Sequence, residues 1–329
     1  MRACVHPRVS MAASLIVALG ACGAPAADQE TEIPAVMEAA GLPEGAEATS
    51  LLGEPLFPAP ASAEVMAEQV RDREAARELY EEDPTDADAI IWLGRRTAYL
   101  GLYRDAIEVF SEGMDKHPTD ARMYRHRGHR WISVRELDRA IEDLSHAADL
   151  VRGTPDEVEP DGQPNERGIP TSSLQSNIHY HLGLAHYLKG DFERALESYE
   201  AYMAVATNPD MVVAISHWWY MSLRRLGRDA EAAALLEPIT ADLDVIENTS
   251  YHQLLLMYKG ELDAADLWDP TSDNPAGAAV AYGVGAWHLY NGRTDQAQAA
   301  FARILENRQW AGFGYIAAEA EIARLDAGG

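Results

Sequence analysis

Pro84-Thr85-Asp86-Ala87 returns 34 residues later as Pro118-Thr119-Asp120-Ala121, and the stretch around these two quartets decides the fold. The same offset relates Leu93-Gly94 to Arg127-Gly128, Ala106-Ile107-Glu108 to Ala140-Ile141-Glu142, and Phe110 to Leu144. A fixed period of this length belongs to stacked helical arrays, in which one helix pair is repeated along an axis. Within the first unit, Thr85 or Asp86 caps a helix from Ala87, Gly101 turns the chain, and a second helix carries Ala106 and Phe110. Gly94 and Ala106 let the two backbones approach closely, and Phe110 fills the space beside them.

The phase continues outward in both directions. Ala63 to Glu82 is a single amphipathic helix that covers the open face of repeat one, which runs from Ala87 to Asp120. Repeat two runs from Ala121 to about Thr154. Arg152 to Ser173 then interrupts the array, and Gly153, Pro155, Pro160, Gly162, Pro164, Gly168 and Pro170 make it a loop. The third repeat, Ser176 to Pro209, carries Leu182, Gly183, Gly190, Phe192, Ala195 and Tyr199. The fourth, about Val213 to Ile246, has Tyr220 where the close-packing glycine belongs. The fifth, about Asn248 to Trp268, is degenerate, with a short second helix. After a loop from Pro270 to Pro275, a sixth covers Ala278 to Ala311. Gly314 to Leu325 forms a last helix whose Glu319, Glu321 and Arg324 suit an exposed capping face. Gly312-Phe313-Gly314 reads as a tight turn that packs that helix closely.

This pattern resembles the tetratricopeptide-repeat family, whose signature positions are matched in repeat one by Ile90, Leu93, Gly94, Gly101, Tyr103, Ala106, Phe110 and Pro118. The resemblance covers about 240 residues and is strongest in repeats one, two, three and six. It implies an all-α fold: a right-handed superhelical solenoid of antiparallel helix pairs, five to six repeats with capping helices, spanning residues 61–329. It also implies a concave side lined by first helices and a protein or peptide partner bound there. Some members clamp a terminal carboxylate with Lys and Asn. The corresponding positions here hold Ile91, Arg95, His126, Asn177 and His181, a poor match to that clamp.

The formal charge of −26 argues against nucleic acid as a partner, since a polyanion needs a basic footprint. Both cysteines, Cys4 and Cys22, lie in the first 22 residues, so no disulfide staples the repeats. Arg2 and Arg8 followed by the apolar run Met11 to Gly20 read as an export signal over residues 1–21. Leu19-Gly20-Ala21-Cys22 resembles the lipobox of bacterial lipoproteins, which implies acylation of Cys22. With Gly23 following, it also implies residence at the outer membrane of a Gram-negative envelope. Residues 22–60, rich in Pro and Ala, read as a tether, with Leu51-Leu52 and Leu56-Phe57 apolar enough to dock its second half on the first helices.

Helical phase places Arg95, Arg122, Arg125, His126, His129, Tyr180, His181, His217 and Trp218 on the concave side. A basic and aromatic lining inside an acidic chain points to an anionic group on a bound peptide, held by arginine forks. Two other readings stand beside it. A small anionic ligand in a pocket closed by residues 152–173 is one; arginines pairing with carboxylates of neighbouring repeats, and simply knitting the array, is the other. His126 with His129, and His181 with His217, are spaced for a metal only weakly, with no His-Glu-x-x-His run. There is no Gly-x-Ser-x-Gly elbow, and the Gly312 turn follows no strand. Neither a catalytic residue nor a cofactor or metal is expected.

Overall fold

The computed structural model describes residues 41–268 and 277–328. The leader expected over residues 1–21, Cys22 and the expected Pro270 to Pro275 loop lie outside the described residues. Gly41 opens the folded unit, ahead of the boundary expected at 61. The reason is a small hairpin, β1 (Ala48–Thr49) and β2 (Pro55–Leu56), with Ala48 opposite Leu56. Both of those residues are buried, whereas Leu52 and Phe57 face outward.

Helix α1 (Ala63–Glu82) precedes six helix pairs. These are α2 (Ala87–Tyr99) with α3 (Tyr103–Lys116), α4 (Ala121–Ser133) with α5 (Leu137–Val151), and α6 (Leu174–Lys189) with α7 (Phe192–Val205). Then come α8 (Pro209–Arg225) with α9 (Asp229–Leu236), α10 (Thr249–Lys259) with the one-turn α11 (Ala264–Leu267), α12 (Ala278–Tyr290) with α13 (Thr294–Leu305), and a final α14 (Phe313–Gly328). The first helices of the first four pairs begin at short polar side chains that accept from their own first turn. Asp86 accepts from Asp88 N, Asp120 from Arg122 N, Ser173 from Ser176 N, and Asn208 from Met211 N.

Pairing within a repeat follows one device. A Cβ on Gly94 would stand 2.5 Å from the Phe110 ring, one on Gly128 2.6 Å from Leu144, and one on Gly285 2.8 Å from Phe301; Gly183 meets Tyr199 in the same way. Each glycine lies sixteen residues before the large side chain that occupies its missing Cβ. In repeat four, Tyr220 stacks instead on Tyr258 of α10, ring centroids 4.3 Å apart, and α9 is short.

The chain then closes on itself. Helix α14 packs on α12, α13 and α6, and it also reaches the first-helix side of repeats two to four. Phe313 lies against His129, Tyr180 and His181, Arg225 of α8 bonds Glu321, and Arg324 donates to Leu188 O at the end of α6. The expected exposed face is therefore corrected: Glu319 and Glu321 are each 1% exposed. Their carboxylates are tolerated inside because each meets arginine, Glu319 with Arg135 and Glu321 with Arg225 and Arg324. The Gly312-Phe313-Gly314 turn seats the helix closely, since a Cβ on Gly314 would strike the Ala278 carbonyl. The hairpin joins this closure from the other end of the chain. Arg104 of α3 bonds Glu47, Leu51 N donates to Glu319, and Trp310 Nε1 donates to Phe57 O. Among the described residues, no helix is long and apolar enough to cross a membrane.

Candidate functional site

The loop between α5 and α6 is a strap across the first helices of repeats one to three. Its far end is held by a loop that is itself fixed from below. The buried Asp210 carboxylate accepts from the backbone N–H groups of Ile246, Glu247 and Asn248 at 2.8–2.9 Å. So positioned, Glu247 accepts from Asn165 and Thr171, and Asp244 receives both arms of the Arg167 fork at 2.7 and 2.9 Å. At the near end, Arg95 donates to Pro160 O at 2.6 Å, and Gly162 lies so close to Tyr99 and Arg95 that a side chain there would displace their tips.

Just before the near anchor, Glu159 enters the basic cluster that the sequence places on α4. Arg125 Nη2 is 3.1 Å and His126 Nε2 3.3 Å from its two oxygens, and Asn177 Nδ2 donates to it at 2.6 Å. Arg125 Nη1 also lies 2.9 Å from His126 Nδ1. A guanidinium only donates, so Nδ1 accepts, and the ring of neutral His126 carries its proton on Nε2, directed at Glu159. Burial and then the Arg125 charge push His126 down to about 3, against the opposing pull of Glu159. Burial alone would raise the Glu159 carboxyl, but Arg125, His126 and Asn177 outweigh it and hold it well below the usual carboxylate range. The Phe110 ring stacks on His126 at 5.4 Å.

The remaining expected site residues separate into three groups. Arg122 bonds Asp88 of the preceding repeat and Asp120 of its own, which knits the array and leaves it committed. His217 and Trp218 are enclosed in the core at 0% and 1% exposure; they face other side chains and not an open groove. His217 stacks on Tyr251, and Trp218 Nε1 donates to Tyr180 OH at 2.7 Å. His129 and His181 pair ring to ring at 4.2 Å, and Phe313 covers both. Burial pushes His181 and His217 to about 3 and His129 well below its ordinary range, so all are neutral. The pairing is thus His129 with His181, not His181 with His217. Among the described residues no His, Cys, Asp and Glu group is arranged to hold a metal ion.

Periodic helix pairs, a glycine packed under a large side chain in repeats one, two, three and six, and the capped first helices of the first four pairs together decide the architecture. The fold is that of a tetratricopeptide-repeat array. No family model and no curated protein matches the chain. Solved structures that it resembles include a tetratricopeptide repeat protein from Parabacteroides merdae, at 13% identity and a TM-score of 0.45, covering 78% of this chain and 93% of that one. BtubC from P. vanneervenii matches at 17% identity and a TM-score of 0.43, covering 82% and 94%. YrrB, described as a TPR protein with an unusual peptide-binding site, matches at 14% and 0.41, covering 71% and 92%.

In this array the residues missed by sequence reasoning are the acidic ones. Glu159 belongs to the run Asp156-Glu157-Val158-Glu159, opposite in sign to Arg125-His126-Arg127. That complementarity was the available signal for it. Asp210, Glu319 and Glu321 carried none, since their partners are distant in sequence. Arg135 had a subtle one. It stands one period after Gly101, where the turn requires positive φ, and it adopts φ 68°. Its side chain reaches Glu319 at 2.8 Å and lies over the Trp310 ring.

Proposed function

We propose that this protein is a binding scaffold that takes an acidic, extended segment of a protein partner on the first-helix side of repeats one to three, in the place where its own strap lies. One observation carries the reading: the strap already engages Arg95, Arg125, His126 and Asn177 as a bound peptide would, through a carboxylate and a backbone carbonyl. A protein partner whose acidic side chain replaces Glu159 meets the same donors. The strap is then an intramolecular competitor that sets a threshold for binding.

A small ligand beneath the strap is supported less well. The cavity there, about 410 Å³, is lined by Glu159, Asp161 and Glu247 as well as Arg95 and Arg125, so its mixed charge does not select a small anion. We also propose that Cys22 anchors the chain to the outer membrane of the envelope by lipid. Incorporation of labelled fatty acid, lost in Cys22→Ser, tests this.

The scaffold reading is tested with a fluorescent peptide of strap residues 155–164, added to the chain lacking Thr154–Ile169. Saturable anisotropy that disappears with Arg125→Ala is the expected result. Absence of binding to the strap-free chain would sink the proposal.

A further inference from the structure

Beside the strap contact, and sharing Arg95, Arg125 and His126 with it, lies a second and smaller pocket of about 130 Å³. It is lined by Arg95, Tyr99, Arg125, His126, His129 and Arg130, with Ala98 and Phe110 as apolar walls. Three guanidinium groups meet there, and no carboxylate lines it. Glu159 faces the neighbouring cavities instead.

The donors in this pocket are only partly used. Arg125 spends its Nη atoms on His126 and Glu159, while its Nε is buried without a hydrogen-bond partner among the described residues. Arg95 donates to neutral oxygens alone, Pro160 O and Tyr99 OH. Arg130 lies 5.4 Å from the Tyr103 ring and pairs with no carboxylate among the described residues; burial pushes its guanidinium down to about 10, with Arg125 and Arg95 repelling it. His129, held neutral, keeps one ring N–H to donate.

Gathering three like charges in one half-buried pocket is costly unless something neutralises them. The protein elsewhere does so with its own acidic groups, as at Arg122, Arg127, Arg135 and Arg225. Here it presents a set of donors with no anionic acceptor among the lining residues, in a net acidic chain. The pocket is large enough to admit one small tetrahedral oxyanion. We propose that this pocket binds a free inorganic oxyanion of the phosphate or sulfate class, held by the Arg130 and Arg95 guanidinium groups, with Tyr99 and His129 completing the donor shell. Arg95, Arg125 and His126 line this pocket and the strap-facing cavity alike, but Arg130 lines this pocket alone, so the two readings are separated at Arg130.

The test uses the full-length protein prepared in oxyanion-free buffer, with inorganic phosphate as the probe. Phosphate and sulfate are each expected to raise the thermal midpoint saturably, while chloride at equal ionic strength does not. Phosphorus NMR should show line broadening of free phosphate by the wild type. Arg130→Met should fold at least as stably without oxyanion, because it removes a buried charge, and lose affinity for phosphate at least about tenfold. Arg122→Met, a control outside the pocket, should keep the full phosphate response. A wild type that responds to phosphate no more than to chloride overturns the proposal, and so does an Arg130→Met variant that keeps the wild-type response. Binding of the strap peptide by the strap-free chain should survive Arg130→Met, so failure of either site is read separately.

Discussion

The first-helix side of the array is covered twice, by the strap over repeats one to three and by α14 farther along, and the two covers are held by different forces. Helix α14 buries Ile316, Ala317, Ala318 and Ala320 at 3% exposure or less and places two carboxylates onto arginines inside. The strap leaves Val158 61% and Ile169 42% exposed, and its grip is polar. A buried isoleucine is worth about 2–3 kcal/mol and a strap hydrogen bond about 1 kcal/mol, so α14 is part of the core while the strap is a contact that competition can replace. A solenoid of this kind can thus fill its inner side permanently at one end and conditionally at the other.

The largest perturbation expected is acid. His126, His181 and His217 are held neutral with values near 3, and His129 well below its usual range, against about 6.5 in the unfolded chain. The unfolded state binds more protons in this interval, so stability falls as pH drops from about 6.5 toward 3. Thermal melts followed by circular dichroism across that range should show the decline, and a midpoint flat from pH 7 to 4 would contradict it. His126 lies under the strap, and His129 and His181 lie under Phe313 of α14, so acid should weaken both covers.

Next come substitutions that separate the covers. Ile316→Ala, at a site with no exposure, should cost about 2–5 kcal/mol, and Glu321→Ala a similar amount because it strands Arg225 and Arg324; urea unfolding measures both. Arg135→Gly sharpens the comparison. It relieves about 1 kcal/mol of left-handed backbone strain but leaves Glu319 unpaired at a cost of about 3–5 kcal/mol, so a net loss of about 2–4 kcal/mol is expected. A stabilised variant would mean that Arg135 is not the latch of α14.

The smallest effect is expected from deleting Thr154–Ile169. Helical ellipticity should be unchanged, and the loss of stability should be below that of Ile316→Ala. Broad unfolding would make the strap part of the core and erase the distinction between the two covers.

Much of the architecture was legible because it repeats. Gly94, Gly128, Gly183 and Gly285 each meet a large residue sixteen positions later, and the loop read from Arg152 to Ser173 coincides with the helix-free stretch between Val151 and Leu174. The candidate site was legible only on its basic side. Arg125, His126 and Asn177 do converge, but on Glu159, and Arg122 was spoken for by Asp88 and Asp120. His217 and Trp218 share a helical face with groove positions, yet α10 and α12 pack over them.

By itself the sequence determined the helix pairs, their turns and their close packing, because each depends on residues within one period and reads as a local pattern of size and polarity. The tertiary structure alone decided which charges meet. Arg135 and Glu319 lie 184 positions apart, and Leu51 and Glu319 268 apart. No periodic signal spans such separations; they are joined only by the path the stacked helices take through space, and that path turns the apparent groove into one covered by its own chain.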